Sequence, residues 1–503
     1  MSDTNRVALG IVEETTVGTT PTSPVFTALR ITGTPELGAN PVTVISDEIR
    51  SDRQVADLIL VGKEAGGNVG MELSFDAQGL TFEGVLGSDW TYRPTLVNTA
   101  ADSDIVGITD SSALMLASLW GSTLDFGSSV AGSLIAFTGF GDSGNNGVFF
   151  MSSVSGNTSF GYTLSLSNAS AVSDAAPAAG ARIRTVGFQG GTGTLSTTAT
   201  TLVSAVATTG PRLDFLDLGF DLVIGEWIKI GGPETINQFA TAACNGWARI
   251  SAIAQYTLTF DVVPTGFTTD NGSAKDIQFF VGDYIRNSTT EKSYSLERQF
   301  QDQSSILYEV FTGMHMNTMT VQARSQSIVT ASINFMGFDA AMDTVRTAGA
   351  TDTDAPTNTV LNSSSNVGRI AENGTAISTN NYVLEMSIII NNNLRRQNAV
   401  GSDTSIGIGY GEFNVKGSLS TYFDDKTLAD KVIDNTSTSL DIRFGDSSDH
   451  VILIDLPTVK YSSGSPQVAG KNQDVVLNLE YQAIRNTTLD YTIHVQQFHD
   501  VEV

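Results

Sequence analysis

Apolar and polar residues alternate with period two in several stretches of the chain. The clearest is 69–75, where Val69, Met71, Leu73 and Phe75 share one face and Gly70, Glu72 and Ser74 the other. Successive side chains of a strand point to opposite sides of a sheet, so this pattern predicts a half-buried strand. A short helix is expected next. Leu80, Phe82, Val85 and Leu86 are its apolar residues, Ser74 or Asp76 can cap its start, and Gly87 offers a stop. Upstream, residues 46–63 are charged and read as a long loop reaching a neighbour.

The opening VALGIVEETTVGTTPTSPVFTALRITG mixes short β-rich runs with proline and glycine and reads as an N-terminal arm, with 25–31 able to form a strand. Alternation returns after Asn287. Tyr294, Leu296 and Phe300 share a face in SYSLERQF, and 304–313 suits a short helix or a buried strand. Two strands, 314–323 and 328–338, follow and are joined by the turn 324–327. In the second, Val329, Ala331, Ile333 and Phe335 face one way, and Thr330, Ser332 and Asn334 form an uncharged polar face. Residues 343–380 read as loop. Strands are expected at 383–390, 411–424, 439–444, 450–456, 474–483 and from 491 to the end. A helix at 425–434 pairs Leu428 with Val432 and Ala429 with Ile433 at i, i+4.

Between 91 and 282 charge thins, and an order of elements repeats. One copy runs through Leu124 to Phe126, GSLIAFTGF, Asn146-Gly147 and YTLSLS; the other through Leu216 to Leu218, GEWIKIGG, Asn245-Gly246 and YTLTFD. The Asn-Gly pairs are 245 − 146 = 99 residues apart, and such pairs favour tight turns. The expected fold class is therefore mainly β, with flanking short helices. The expected organisation is one discontinuous domain, 1–91 plus 283–503, carrying two inserted small β modules at 92–200 and 201–282.

Composition narrows the function classes. Asp+Glu number 53 against Lys+Arg 27, a net charge of −26, which repels phosphate and argues against a nucleic-acid grip. A single cysteine, Cys244, allows no intrachain disulfide and reads as a small buried residue. The N-terminus lacks the pattern of a signal peptide, and no apolar run is long enough to span a bilayer. His315, His450, His494 and His499 have no metal-ligand spacing, and His494 and His499 are expected at solvent or an interface. The glycine-rich 406–411 lacks the Lys-Ser/Thr of a phosphate loop, and 141–147, with Asp142 and Asn145, reads as a plain turn. No catalytic, cofactor or metal residues are assigned, and no enzyme activity is expected.

The opening stretch, the 46–86 segment, SYSLERQF, SINFMGF and NNNLRRQNAVGS followed by YGEFNVKGSLSTYFDD together resemble the major tail tube proteins of long-tailed, siphovirus-type bacteriophages. The resemblance covers both outer segments and implies a tail-tube β-sandwich or barrel. It implies a homo-hexamer: rings that stack into a tube around a channel for DNA ejection, with inserted domains outside. By resemblance Asp47, Glu48, Arg50, Asp52, Arg53 and Gln54 belong to a loop that contacts the next ring or subunit. Candidate lumen residues are Glu72, Thr318, Thr320, Thr330, Ser332 and Asn334. Implied partners are tape measure, tail terminator and distal tail proteins, with viral DNA passing unbound and a host surface glycan a candidate for the inserted modules. The location implied is the virion, after synthesis in the host bacterial cytoplasm. Core packing is the expected use of Trp120, Trp227 and Trp247, but aromatics can stack on sugars, which keeps a carbohydrate-binding adhesin or tail-fibre component as the alternative reading, with a polysaccharide hydrolase as a third.

Overall fold

The computed structural model describes residues 4–33, 35–99, 105–109, 113–116, 130–157, 161–206, 211–377, 381–468 and 470–501. The fold is mainly β, with two α-helices among the described residues. Eight strands make up its most regular sheet: β1 (Gly38–Ile45), β2 (Leu58–Glu72), β3 (Leu307–Arg324), β4 (Thr330–Gly337), β5 (Val383–Asn391), β6 (Asn414–Tyr422), β7 (Val451–Gln467) and β8 (Val476–Ala483). They lie side by side in the order β1-β2-β4-β3-β5-β6-β8-β7, antiparallel throughout.

Two strands are long enough to belong to two layers. The first half of β3 pairs with Tyr294–Phe300 and Asp339–Asp343, and its second half with β4 and β5. In the same way β7 pairs first with Thr438–Gly445 and His494–Phe498, then with β8. Between the layers lies one core that includes Met71, Ile333, Met319, Ile388, Leu419 and Leu479, the apolar positions of the alternating strands. Helix α1 (Gly79–Leu86) packs on β3 so closely that a Cβ on Gly84 would sit 2.6 Å from the Met316 sulfur. Gly87 ends it in the left-handed region at φ 59°, as its sequence position predicts. Helix α2 (Thr427–Ile433) lays Leu428 and Val432 on the core, while Ile433 stays exposed.

Several elements differ from expectation. Residues 46–63 are not one loop: β1 and β2 form a ribbon, and only 46–57 turn at its tip. The N-terminal segment is no arm, because Val7–Glu13 pairs with Tyr294–Phe300 over seven positions and buries Leu9 and Ile11. Of the two alternatives for 304–313 the strand is the one found, from Leu307 and continuous with 314–323 in β3, whereas 343–380, expected as loop, contain strands at Thr351–Thr353, Val367–Glu372 and Thr375–Ala376. Neither Ser74 nor Asp76 caps α1. Its N-cap is Gln78 without a side-chain bond, while Ser74 accepts from Arg30. For the N-terminal segment and for Thr351–Thr353 and Val367–Glu372, pairing with a strand distant in the chain outweighs the local signal.

The described strands between Thr95 and Phe280 form a separate sheet. The strands Ser133–Thr138, Gly147–Asn157, Gly161–Leu166 and Arg182–Gln189 are followed by Trp227–Ile230, Gly246–Ala254, Thr257–Val262 and Gln278–Phe280 in the same arrangement. Asn146 bonds the backbone of Phe140 in both directions, at 3.0 and 2.9 Å, and Asn245 does the same to Phe239, at 2.9 and 3.0 Å. The asparagines thus brace loops rather than make two-residue turns; Asn146 itself is extended. The repeat's opening element at 124–126 lies outside the described residues. Arg182–Gln189 pairs with Gln278–Phe280, so the two copies join edge to edge in one sheet. The hairpin of Leu195–Thr197 and Thr201–Ser204 straddles position 200 and packs with the second copy. Both ends of the segment return to one point, where Thr91 and Tyr284 exchange backbone bonds of 2.8 and 3.1 Å.

Candidate functional site

The face of the eight-stranded sheet turned away from the core is mainly polar from edge to edge, although Ile389 and Tyr422 also stand on it. Across β2, β4 and β3, Glu72 stands opposite Thr330, Gly70 opposite Ser332 and Asn68 opposite Asn334, while Thr318 faces Asn334 and Thr320 faces Ser332. The six lumen candidates therefore share one patch on three adjacent strands. Thr330 and Ser332 are exposed, and Glu72, Thr318, Thr320 and Asn334 are half-buried. Asn334 donates to Asn68 at 2.9 Å and Asn317 to Asn334 at 3.3 Å, a short ladder of amides.

The face continues where sequence reasoning assigned nothing. Beyond β3 come Ser387 and Asn391 on β5, Ser418 and Ser420 on β6, Asn478 and Glu480 on β8, and Ser463 and Ser465 on β7. Ser387 and Ser418 share a 2.8 Å hydroxyl contact, and Ser420 donates to Asn478 at 2.7 Å. The alternation in 411–424 and 474–483 carried this signal, but only the register brings it into line with the first patch. Charge on the face is sparse and mixed: Glu72, Glu385 and Glu480 stand with Arg324, Lys416 and Lys460, and Arg324 bonds Glu385 at 2.9 Å.

The second feature is the ribbon. Asp47, Glu48, Arg50, Asp52, Arg53 and Gln54 all lie exposed in its tip, where Arg50 and Asp52 pair at 2.9 Å and Asp52 accepts the Gln54 amide. Below the tip the ribbon is apolar on both faces: Val44 is 52% exposed, Ile45 54%, Leu58 60%, Ile59 47%, Leu60 52% and Val61 51%. A lone two-stranded ribbon is marginal in water, and a contiguous apolar surface of this kind marks a contact site. A second arm, with Arg395–Gln397 paired to Gly407–Gly409, lies at its base, where Arg396 bonds Ala65 O at 2.7 Å and also reaches Gly337 O.

The inserted sheet is fastened to the layer opposite the polar face. Val451, Leu453 and Phe498 pack with Trp227, Trp247 and Phe280 in a joint cluster. Arg249 bridges Asp261 at 2.9 Å and Asp455 at 3.1 Å, and Arg93 pairs with Glu226. Asp283 accepts from the Arg93 amide at 2.6 Å and from Arg184 at 2.8 Å, and His499 lies 3.2 Å away. Burial alone would raise the Asp283 carboxyl, but the His499 bond and the Arg184 charge outweigh it and hold it below the usual range.

This seam places two of the histidines and two of the tryptophans. His494 and His499 are buried rather than at solvent, and burial pushes both imidazoles below the ordinary histidine range. Trp227 and Trp247 serve the core and offer no face for stacking on a sugar; Trp120 lies outside the described residues. Cys244 is buried as expected. In the 141–147 loop Asp142 accepts the Gly144 amide at 2.9 Å, and Asn145 bonds Val172 in both directions. No group of three or more metal-ligating side chains occurs among the described residues, nor does a helix long and apolar enough to cross a membrane.

Compared with known families, residues 4–483 match the model of the phage tail tube protein family, described as "Phage tail tube protein". No curated protein matches the chain.

Proposed function

The chain belongs to the phage tail tube protein family, and from that premise we propose that it forms the wall of the DNA channel. As a structural tail protein it is a component of the virion. Its copies close into rings, which the resemblance takes to be hexameric, and the rings stack into a tube meeting tape measure, terminator and distal tail proteins. The observation that carries this reading is the continuous polar face. It is rich in serine, threonine and asparagine, and its few charges are of both signs. Such a wall offers phosphate no array of cations from which to release counterions, so DNA slides without sticking. Closing the sheet also removes free edges that would otherwise pair at random.

The ribbon is the assembly arm. Its apolar faces cover a neighbouring subunit, and its charged tip, Asp47 to Gln54, meets the next ring. Residues 1–91 and 283–503 form the tube domain. The inserted sheet stands on the outer surface as a decoration held by the buried charges of the seam, and a host glycan is a candidate ligand for it. Electron microscopy of the purified protein tests this reading. Rings or tubes are expected; discrete globular particles at every concentration would refute it.

A further inference from the structure

The eight-stranded sheet is one four-stranded unit written twice. The order β1-β2-β4-β3 continues as β5-β6-β8-β7, and each unit has its helix between its second and third strands. Two of the irregularities coincide as well. In the first unit Met316 faces Phe335 and Thr318 faces Asn334, skipping one residue. In the second, Tyr461 faces Tyr481 and Ser463 faces Glu480, the same skip 145 residues later on one strand and 146 on the other. A second pair of bulges agrees: Tyr294 faces Met314 and Leu296 faces Phe311, while Thr438 faces Val459 and Leu440 faces Leu456. A bulge sets local twist and strand direction, and two at matching registers are not expected of unrelated sheets. The sequence keeps a trace in YSLERQF and TSLDIRF, which share serine, leucine, an acid and phenylalanine at matched positions. Where the second unit has only residues 434–437 after its helix, the first carries the whole inserted sheet.

The two units are already joined by the kind of contact a ring requires. The third strand of the first unit, β3, pairs with the first strand of the second, β5, from Thr318 opposite Asn391 to Arg324 opposite Glu385. The edges left without a strand partner among the described residues are the same two types: β1 with the stretch before it, and the second half of β7. Glu36, Ala39 and Asn40 on one edge and Ser463, Ser465 and Gln467 on the other are exposed.

We propose that these edges join between copies as they do within one, so that three chains, not six, close a ring of six units. Shifting the internal register by 145 and 351 residues sets Ser463 opposite Asn40, Ser465 opposite Gly38 and Gln467 opposite Glu36 of the next copy. These residues all lie on the polar face, so the wall stays continuous. Pro466 and Pro41 lack amide hydrogens, which limits pairing of the free edges with other strands. At about 4.8 Å between strands, three chains give a backbone ring about 37 Å across before strand tilt widens it, and six give about twice that. The smaller bore suits one DNA duplex.

The inference rests on the tube reading, and the test separates the two. Cryo-electron microscopy of the full-length protein's tubes should show threefold rings with three external projections. The mass per ring should be about 160 kDa, three times 53.2 kDa. Six projections and twice that mass would overturn the inference and leave the tube reading intact; failure to form rings at all would overturn both. Independently, the double variant Gly38→Cys with Ser465→Cys should oxidise to a covalent product that stops at three chains. Gly38 has room for a side chain, and the native Cys244 is buried. A ladder reaching six chains, in tubes that form normally, would refute the proposal.

Discussion

Replacing Leu58 and Leu60 with serine isolates the contribution of the ribbon to assembly. The two side chains are 60% and 52% exposed in the free subunit, so they add little to its own stability. Burying a leucine fully is worth roughly 1.5–3 kcal/mol. With just over half of each side chain left to cover, the pair contributes about 2–3 kcal/mol to each arm contact. One decade in affinity corresponds to about 1.4 kcal/mol, so each contact should weaken about 30- to 140-fold. The critical concentration for tube growth, measured by sedimentation, should rise by at least that factor, because every ring repeats the contact. The urea midpoint of the unassembled subunit should stay within experimental error of the parent. An unchanged critical concentration would refute the assignment of the ribbon as the assembly arm. A collapsed midpoint would show that the ribbon stabilises its own subunit instead.

Other outcomes follow from the same structure. Thr320→Lys with Ser332→Lys places two cations opposite each other on the polar face; tubes should form, and DNA passage should slow in a salt-dependent way, with an unchanged ejection rate placing that face elsewhere. Phe335→Ala, at a side chain 2% exposed in the core, should cost about 3–5 kcal/mol in a denaturant titration, and a loss below about 1 kcal/mol would argue against this register. The two buried histidines of the seam should cost stability in acid. Burial, then the charges of Arg286 and Arg184, depress the pKa values of His494 and His499 respectively. Stability from a base depressed in this way is complete above its unfolded pKa near 6.5 and is lost as the pH falls below it, and the depressed Asp283 carboxyl adds a loss of the same sign below about pH 4. Asp455, which burial raises to about 6, acts in the opposite sense in the same window, so the outcome is a difference: between pH 7.5 and 5 the urea midpoint of the parent should fall relative to that of a His494→Gln, His499→Gln variant, and equal slopes would refute it. Residues 92–282 can be deleted and Thr91 joined to Asp283 by a short linker, because the backbone is already adjacent at Thr91 and Tyr284. The shortened chain should give tubes of the same bore and smaller outer diameter, whereas a folded subunit that no longer assembles would make the inserted sheet part of the wall.

Period-two alternation is a property of a strand's own backbone, so the sequence alone determined which side chains of 69–72 and 330–337 share a face, and with them the mainly β class. It also located both helices, since i, i+4 apolar pairs and a terminal glycine act within a single element. Pairing is different, because its energy is shared by residues far apart in the chain. Only the tertiary structure decided that Val7–Glu13 lies inside the sandwich, that 58–63 belong to a strand of the ribbon, and that His494 and His499 are shut behind an inserted sheet. The doubled unit was hidden for the same reason. Glu72 and Tyr422, or Thr330 and Val476, occupy matching positions with unlike side chains, since an exposed face constrains chemistry loosely. Hydrogen-bond register and bulges are held by the backbone, and they kept the repeat after the side chains had diverged.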